Sequence, residues 1–303
     1  GWNAAVKDGR VKGIKLSTHS IRGRCDSCLK GSMHRASFPD RTEKFQQLQV
    51  PDDMLKGIGP AQRKPFQRVG LDGVGPMEQH ALGGYTGFYT FVCMHTMAIW
   101  VELYQQPRQA YQIIRDFANT VKTKFRSEIR EIHTDQHPLW GEKCHEWEAV
   151  RAEIGCNVTY STVYTPEQNR SAERANGSVL ACARTMLIAA NLPKKYWGYA
   201  VKYACDILMC VPRTKLHGKT PHEKITGRSP DITRFKTFGC TAWGVVPKQK
   251  RQKWDPRAAK GIFVGLSANK DAFLIHVNGT PRGHVLETAH AVFDESAFGG
   301  PAP

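Results

Sequence analysis

The hydrophobic period of the sequence changes partway along, and that change limits the fold more than any single motif does. Apolar residues lie two apart in Arg68-Val69-Gly70-Leu71-Asp72, and residues 88–93 and 99–104 are aromatic and β-branched runs. A period of two suits a strand with one buried face, so three successive strands with short connections are expected. The period then lengthens to three and four. Ala110, Ile113, Ile114, Phe117, Val121 and Phe125 share one side of a helix predicted over residues 108–125. Residues 129–133 read as a strand, 145–154 as a helix and 158–162 as a strand. Thr165-Pro166-Glu167-Gln168 then combines a Thr N-cap, a Pro at the first helical position and a Gln at the third, which satisfies the free N–H groups of a helix start. Ala172, Val179, Ala183, Met186 and Ala190 carry that helix on towards Pro193. Consecutive strands followed by alternating helices and strands make a mixed α/β chain, antiparallel first and with crossovers later.

A further helix is predicted over residues 196–211, where Trp197, Val201, Ala204 and Leu208 fit a core or a subunit contact. Beyond Phe235 the helical spacing stops, and strand-like runs at 241–246, 261–264, 272–277 and 289–293 suggest a small all-β module. The first 62 residues have little apolar periodicity, and their one compact feature is Cys25-Asp26-Ser27-Cys28. The chain does not begin with Met and has no apolar leader at its start, so a fragment or processed product is expected. Its nine cysteines form an odd, scattered set, unlike a disulfide scaffold, and a reducing compartment fits best. No apolar run reaches the roughly 20 residues of a membrane span, and Lys202 and Asp206 interrupt the long one in the last predicted helix.

Charge narrows the partners. Lys and Arg total 43 against 27 Asp and Glu, a net +16, which favours polyanions, with nucleic acid ahead of anionic membranes and acidic proteins. Three acids stand out against this basic background. Asp72 lies inside a predicted strand, where an unpaired carboxylate is costly; Asp135 closes another strand; Glu173 lies two turns into the long helix. Adjacent strands can bring the two Asp residues together, and a helix packed over the sheet can deliver Glu173. Three converging carboxylates need a cation, and their hard oxygens select Mg²⁺ or Mn²⁺. A pair of such ions would serve an in-line phosphodiester displacement.

Three blocks around these acids carry a family resemblance. Lys64-Pro65-Phe66-Gln67-Arg68-Val69-Gly70-Leu71-Asp72-Gly73-Val74-Gly75-Pro76-Met77, Ile132-His133-Thr134-Asp135 and Tyr164-Thr165-Pro166-Glu167-Gln168-Asn169-Arg170-Ser171-Ala172-Glu173-Arg174 closely resemble the catalytic blocks of copia-type retrotransposon integrases, in the retroviral integrase group. The order Asp, Asp, Glu and the intervals agree with that family. Cys25 and Cys28, followed by Lys30-Gly31 and Phe38-Pro39, resemble the end of its zinc-binding module. Phe238-Gly239-Cys240, Asp255-Pro256-Arg257-Ala258, Gly261-Ile262-Phe263-Val264-Gly265 and Val292-Phe293-Asp294-Glu295 resemble the segment that follows the catalytic domain.

The resemblance implies an RNase H-like α/β fold, a mixed sheet flanked by helices, with a partial zinc-binding segment before it and a small β module after it. The corresponding divisions are 1–62 for the zinc segment and linker, 63–193 for the catalytic domain, 194–235 for a helical extension, 236–298 for the β module and 299–303 for a tail. It implies metal-dependent processing of DNA ends and strand transfer of element cDNA into target DNA. Asp72, Asp135 and Glu173 would be catalytic and hold two Mg²⁺ or Mn²⁺ ions. Cys25 and Cys28 are half of a four-ligand set, so Zn²⁺ is expected only if two further ligands join them. Asn169 would orient DNA or Glu173. Arg170, Arg174 and Arg184 on the long helix, and the run Lys248, Lys250, Arg251 and Lys253, are candidate DNA contacts, with solvated helix and hairpin surfaces, or for the run nuclear targeting, as the plainer readings. Partners would be double-stranded DNA, as element ends and target, and further copies of the chain, with no membrane. Location would be the nucleus, and the cytoplasm at a virus-like particle stage. Where the family carries Asn-Gly-Gly-Glu after its second Asp, this chain has Gln136-His137-Pro138-Leu139-Trp140. The rival reading is accordingly a catalytically inactive DNA-binding remnant of a decayed element.

Overall fold

The computed structural model describes residues 27, 30, 31, 64–135, 137–141, 144–161, 170–268, 270–277 and 284–298, with the side chain of Arg170 left aside. Cys25, Cys28 and Asn169 lie outside the described residues, as does the predicted helix start at 165–168.

The expected meander comprises β1 (Arg68–Val74), β2 (Gly87–Cys93) and β3 (Ile99–Tyr104), with β1 antiparallel to β2 and β2 antiparallel to β3. Helix α1 (Ala110–Phe125) crosses back to β4 (Glu131–Thr134), and α2 (His145–Ile154) leads on to β5 (Asn157–Tyr160). Both later strands run parallel, β4 beside β1 and β5 beside β4, as crossover connections through a helix require. The order β3-β2-β1-β4-β5 is that of an RNase H-like sheet. Helices α3 (Arg170–Ala189) and α4 (Trp197–Met209) follow, then a six-residue helix α5 (Pro221–Thr226). The chain then forms β6 (Cys240–Val245), β7 (Ala258–Leu266), β8 (Phe273–Val277), β9 (Val285–Thr288) and β10 (Ala291–Phe298). These five make a second sheet in the order β10-β6-β7-β8-β9, antiparallel at every pairing.

The first sheet is covered on both faces. Val69, Leu71 and Phe91 pack with Ile114, Phe117 and Val121 of α1 and with Trp147 and Val150 of α2, the Phe91 and Phe117 rings stacking at 4.1 Å. On the other face Phe88, Val92 and Val101 meet Ala172, Ala175 and Val179 of α3 and Trp197, Val201 and Ala204 of α4. Each such large side chain contributes about 1.5–3 kcal/mol by leaving water. The small residues of α3 matter for distance. A Cβ on Gly70 of β1 would meet Met94 Cε at 2.9 Å and Ala172 Cβ at 3.6 Å, so Gly70 and Ala172 together let α3 lie low across β1.

The same apolar cluster continues into the second sheet through Phe263, Ile275 and Ile262. Helix α4 is the bridge. The Tyr203 ring meets Phe263 edge-on at 5.3 Å and its hydroxyl donates to Lys236 O at 2.7 Å. Just ahead of α4, Tyr196 Oη lies 3.2 Å from His276 Nδ1 on β8.

Three local features differ from expectation. Helix α5 has a Thr220 N-cap whose hydroxyl accepts from Glu223 N, with the Glu223 carboxylate accepting from Thr220 N; six residues are too few to show an apolar period, although the capping box itself is visible. Strand β9 holds only four residues and went unexpected, whereas β7 and β10 run longer than their apolar cores suggest. Finally, Arg184, exposed on α3, is also tied within the protein, Nη1 donating to Gly31 O at 3.0 Å.

Candidate active site

The strand register carries Asp72 and Asp135 to one place. In the parallel pair, Gly70 lies beside His133, so two residues further on Asp72 stands level with Asp135, at the carboxyl ends of neighbouring strands. Strands pair about 4.8 Å apart, and the carboxyl ends of parallel strands are where open α/β sheets present their sites. The other end of the pair is tied by an ion pair of 3.1 Å between Arg68 and Glu131. His133, buried two residues before Asp135, is fastened to β5 and its continuation through Thr159 Oγ1 at 2.9 Å and Ser161 Oγ at 3.2 Å.

Asp72 is held on both oxygens. Gly73 N donates to Oδ1 and Asn176 Nδ2 to Oδ2, each at 2.8 Å. Burial, and then the charge of Asp135, push its pKa from 3.8 up to about 6, with Glu173 adding a smaller upward push against the two hydrogen bonds. Glu173 itself is exposed on α3, one turn before Asn176. Asp135 is half-buried and accepts at Oδ1 from Trp140 Nε1 at 3.2 Å, with Thr134 Oγ1 a longer donor at 3.4 Å. The loop after Asp135 is therefore a packed turn. Trp140 is 1% exposed, its ring meets Tyr89 edge-on at 5.6 Å, and its carbonyl accepts from Tyr160 Oη at 2.8 Å.

Asn176 and Trp140 escaped the reading of the sequence. For Asn176 a signal was present: it lies three residues after Glu173, hence on the same helical face, and it is a polar residue among alanines. It is 7% exposed, and its Oδ1 is buried without a partner among the described residues. For Trp140 the sequence offers only a large aromatic five residues after Asp135.

The site's chemistry fits a divalent cation: every donor is a hard carboxylate oxygen, and Asp72 is pushed up first by burial and then by the charge of Asp135, both of which a cation would offset. The three acids are not drawn to ligating distance, and among the described residues no group of three His, Cys, Asp or Glu side chains is placed to hold a metal. The predicted DNA contacts are solvent-facing where described. Arg174 is exposed on α3, and Lys248, Lys250 and Lys253 are exposed with Arg251 half-buried in the loop between β6 and β7. No described helix is long and apolar enough to cross a membrane.

Comparison with known proteins bears on both halves. Residues 240–302 match the model of the retroviral polymerase SH3-like domain. Over 272 residues, 90% of this chain, the sequence is 28% identical to the Retrovirus-related Pol polyprotein from transposon TNT 1-94 of Nicotiana tabacum, covering 19% of that protein. Over 214 residues, 71% of the chain, it is 27% identical to the corresponding polyprotein from transposon RE1 of Arabidopsis thaliana, covering 14% of it. The chain thus spans a fifth or less of the length of these relatives. Among solved structures, the catalytic core domain of BIV integrase covers 54% of this chain and 95% of its own at 15% identity and a TM-score of 0.39. The HTLV-2 integrase catalytic core domain in complex with magnesium covers 54% and 97% at 17% identity and 0.40. By sequence, this chain is a homologue of the retrovirus-related Pol polyproteins of plant transposons.

Proposed function

We propose that the chain is the integrase portion of a transposon polyprotein, a polynucleotidyl transferase that trims DNA ends and joins them to a target duplex. The observation that carries this reading is the register that sets Asp72 level with Asp135 beneath α3, close enough to Glu173 for its charge to act on Asp72. Asp72, Asp135 and Glu173 would hold one or two Mg²⁺ or Mn²⁺ ions, which when bound supply the positive charge for in-line phosphodiester displacement by water or a DNA 3′-hydroxyl. Asn176 fixes the orientation of the Asp72 carboxylate, and the Trp140 indole that of Asp135. The exposed cations of α3 and of the β6–β7 loop hold phosphates of the element ends and the target. The enzyme acts as a multimer of identical chains, and its work on chromosomal DNA places it in the nucleus after a cytoplasmic particle stage.

A specific observation favours the rival, a DNA-binding remnant: the turn after Asp135 carries Pro138 and a buried Trp140. Strand transfer separates the two. The purified chain is incubated with blunt-ended duplex DNA and Mg²⁺ or Mn²⁺, beside Asp135→Asn. Joined products from the wild type alone support the integrase. Joining unchanged in Asp135→Asn removes the site assignment, and DNA binding without cutting or joining in either metal establishes the remnant.

A further inference from the structure

The loop between β6 and β7 is a built platform with one side chain left over. It carries Lys248, Lys250, Arg251, Lys253 and Arg257 against the single acid Asp255. Val246 N donates to Arg257 O at 2.9 Å and closes its base. Lys248–Lys250 form a 3₁₀ turn, and at the tip Asp255 accepts from Gln252 N at 2.7 Å while its own N–H donates to Gln252 O at 3.2 Å. The one carboxylate is thus spent on folding the turn, and Lys248, Lys250, Lys253 and Arg257 are exposed.

Trp254 stands in that turn and is 91% exposed. Every other described tryptophan is engaged. The indoles of Trp100, Trp140, Trp147 and Trp197 donate to Glu102, Asp135, Tyr160 and Gln79, and Trp243 lies under the Lys260 ammonium at 5.5 Å. Trp254 has no such partner among the described residues. A tryptophan offers a large apolar face, and leaving it in water forgoes the gain of burial. An isolated aromatic face ringed by phosphate-binding cations matches an unstacked nucleobase with phosphates on either side. Within an intact duplex both faces of each base are covered by neighbours, so the ring can engage only an unpaired or terminal base.

We propose that Trp254 is a base-stacking residue, and that the loop over residues 246–257 takes single-stranded or frayed DNA in preference to intact duplex. The proposal rests on the DNA reading given above and adds to it the form of DNA this loop selects.

The test compares the full chain with Trp254→Ala, Trp254→Phe and the double variant Lys250→Glu, Lys253→Glu, by fluorescence anisotropy on a labelled oligothymidylate and a blunt duplex of equal length. Trp254→Ala is expected to weaken oligothymidylate binding roughly ten-fold with a far smaller change on duplex, Trp254→Phe to restore most of the loss, and the charge variant to weaken both. Equal melting temperatures for wild type and Trp254→Ala exclude a folding defect, since the ring packs on nothing. Unchanged oligothymidylate binding by Trp254→Ala, or an equal loss on both DNAs, overturns the proposal. So does a tryptophan emission shift with phosphatidylserine vesicles and none with oligothymidylate, which would make the loop a membrane contact. The two readings fail separately. Absent joining with the Trp254→Ala effect intact removes catalysis alone, whereas intact joining with Trp254→Ala indifferent removes stacking alone.

Discussion

The two five-stranded sheets treat polar groups in opposite ways. In the mixed sheet the acids are tied down: Asp72 by Gly73 and Asn176, Asp135 by Trp140, and the strand between them and β5 by buried His133. In the antiparallel sheet four of the five cations of the β6–β7 loop are exposed, and the only carboxylate of that loop is used to shape it. On the proposed function, the contrast follows from the physics of each task. A displacement at phosphorus requires oxygens held to within about half an ångström, hence supporting hydrogen bonds on rigid elements, whereas a phosphate backbone is gathered by charge over a Debye length of about 10 Å and tolerates flexible side chains.

Removing one charge from the mixed sheet breaks the comparison most severely. Asp135→Asn or Asp72→Asn is expected to lower strand transfer about a thousand-fold, the loss of several kcal/mol of charge stabilisation, while DNA binding stays near wild type, as filter binding at fixed salt will show. The Asp72 variant carries a second signature. Because the folded-state pKa is raised to about 6 from 3.8, the native carboxyl holds its proton more tightly than the unfolded one. Its contribution to stability is full below pH 4 and is lost as pH rises through 6. Asp72→Asn should therefore melt a few degrees above the metal-free wild type at pH 8 and level with it at pH 4. Mg²⁺ or Mn²⁺ should raise the wild-type melting temperature at pH 8 and leave Asp72→Asn unmoved.

A shared core limits how far the two sheets can be treated separately. Phe263 of β7 is fully buried in the cluster that also holds Phe88 of β2 and Ala204 of α4. Phe263→Ala is expected to cost about 3–5 kcal/mol, and calorimetry should show a single transition moving as a unit. A split transition, with the mixed sheet melting at the wild-type temperature, would show instead that α4 does not couple the sheets.

Asn176 sharpens the comparison at finer scale. Truncation to Ala removes the donor to Asp72 Oδ2 and frees a carboxylate that is mostly desolvated, so stability at pH 8 should fall by about 1–3 kcal/mol. Strand transfer should fall by roughly ten- to a hundred-fold while KM for DNA holds, the split expected of a residue that orients a ligand without touching DNA.

How much of this was legible in the sequence follows the same division. The period change exposed β1, β2, β3, α1 and α2 nearly to the residue, because the strands are runs of apolar, aromatic and β-branched residues, β2 buried throughout, and the helices each bury one face. Asp72 stood out because a carboxylate inside an alternating strand is costly, and Asp135 because it closes the strand read over residues 129–133. Asn176 was passed over although it shares the helical face of Glu173, since its partner comes from β1, more than a hundred positions away. Trp140 reads as an apolar loop residue until the fold supplies Asp135 as its acceptor. The basic run was read from Lys248 to Lys253, one residue short of Trp254, because a tryptophan in a sequence is expected to be core and only the fold shows it uncovered.

The smallest effects belong to the single cations of the β6–β7 loop, and they test whether that loop acts by charge in the way its geometry suggests. Lys248, Lys250 and Lys253 are exposed, and under the proposed function they would act through phosphate neutralisation, so each Lys→Ala change should weaken duplex binding only a few-fold at moderate salt. It should also flatten the slope of log affinity against log salt by about one. Arg251 is half-buried, and its Nε is without a partner among the described residues, so Arg251→Lys should cost more than its retained charge implies. The three lysine changes should add, because exposed charges on separate side chains share no buried partner. A flattened slope with joining unaffected at low salt would keep chemistry and capture on separate sheets. A thousand-fold loss of joining from Lys250→Ala alone would place this loop within the active site and end the division of labour.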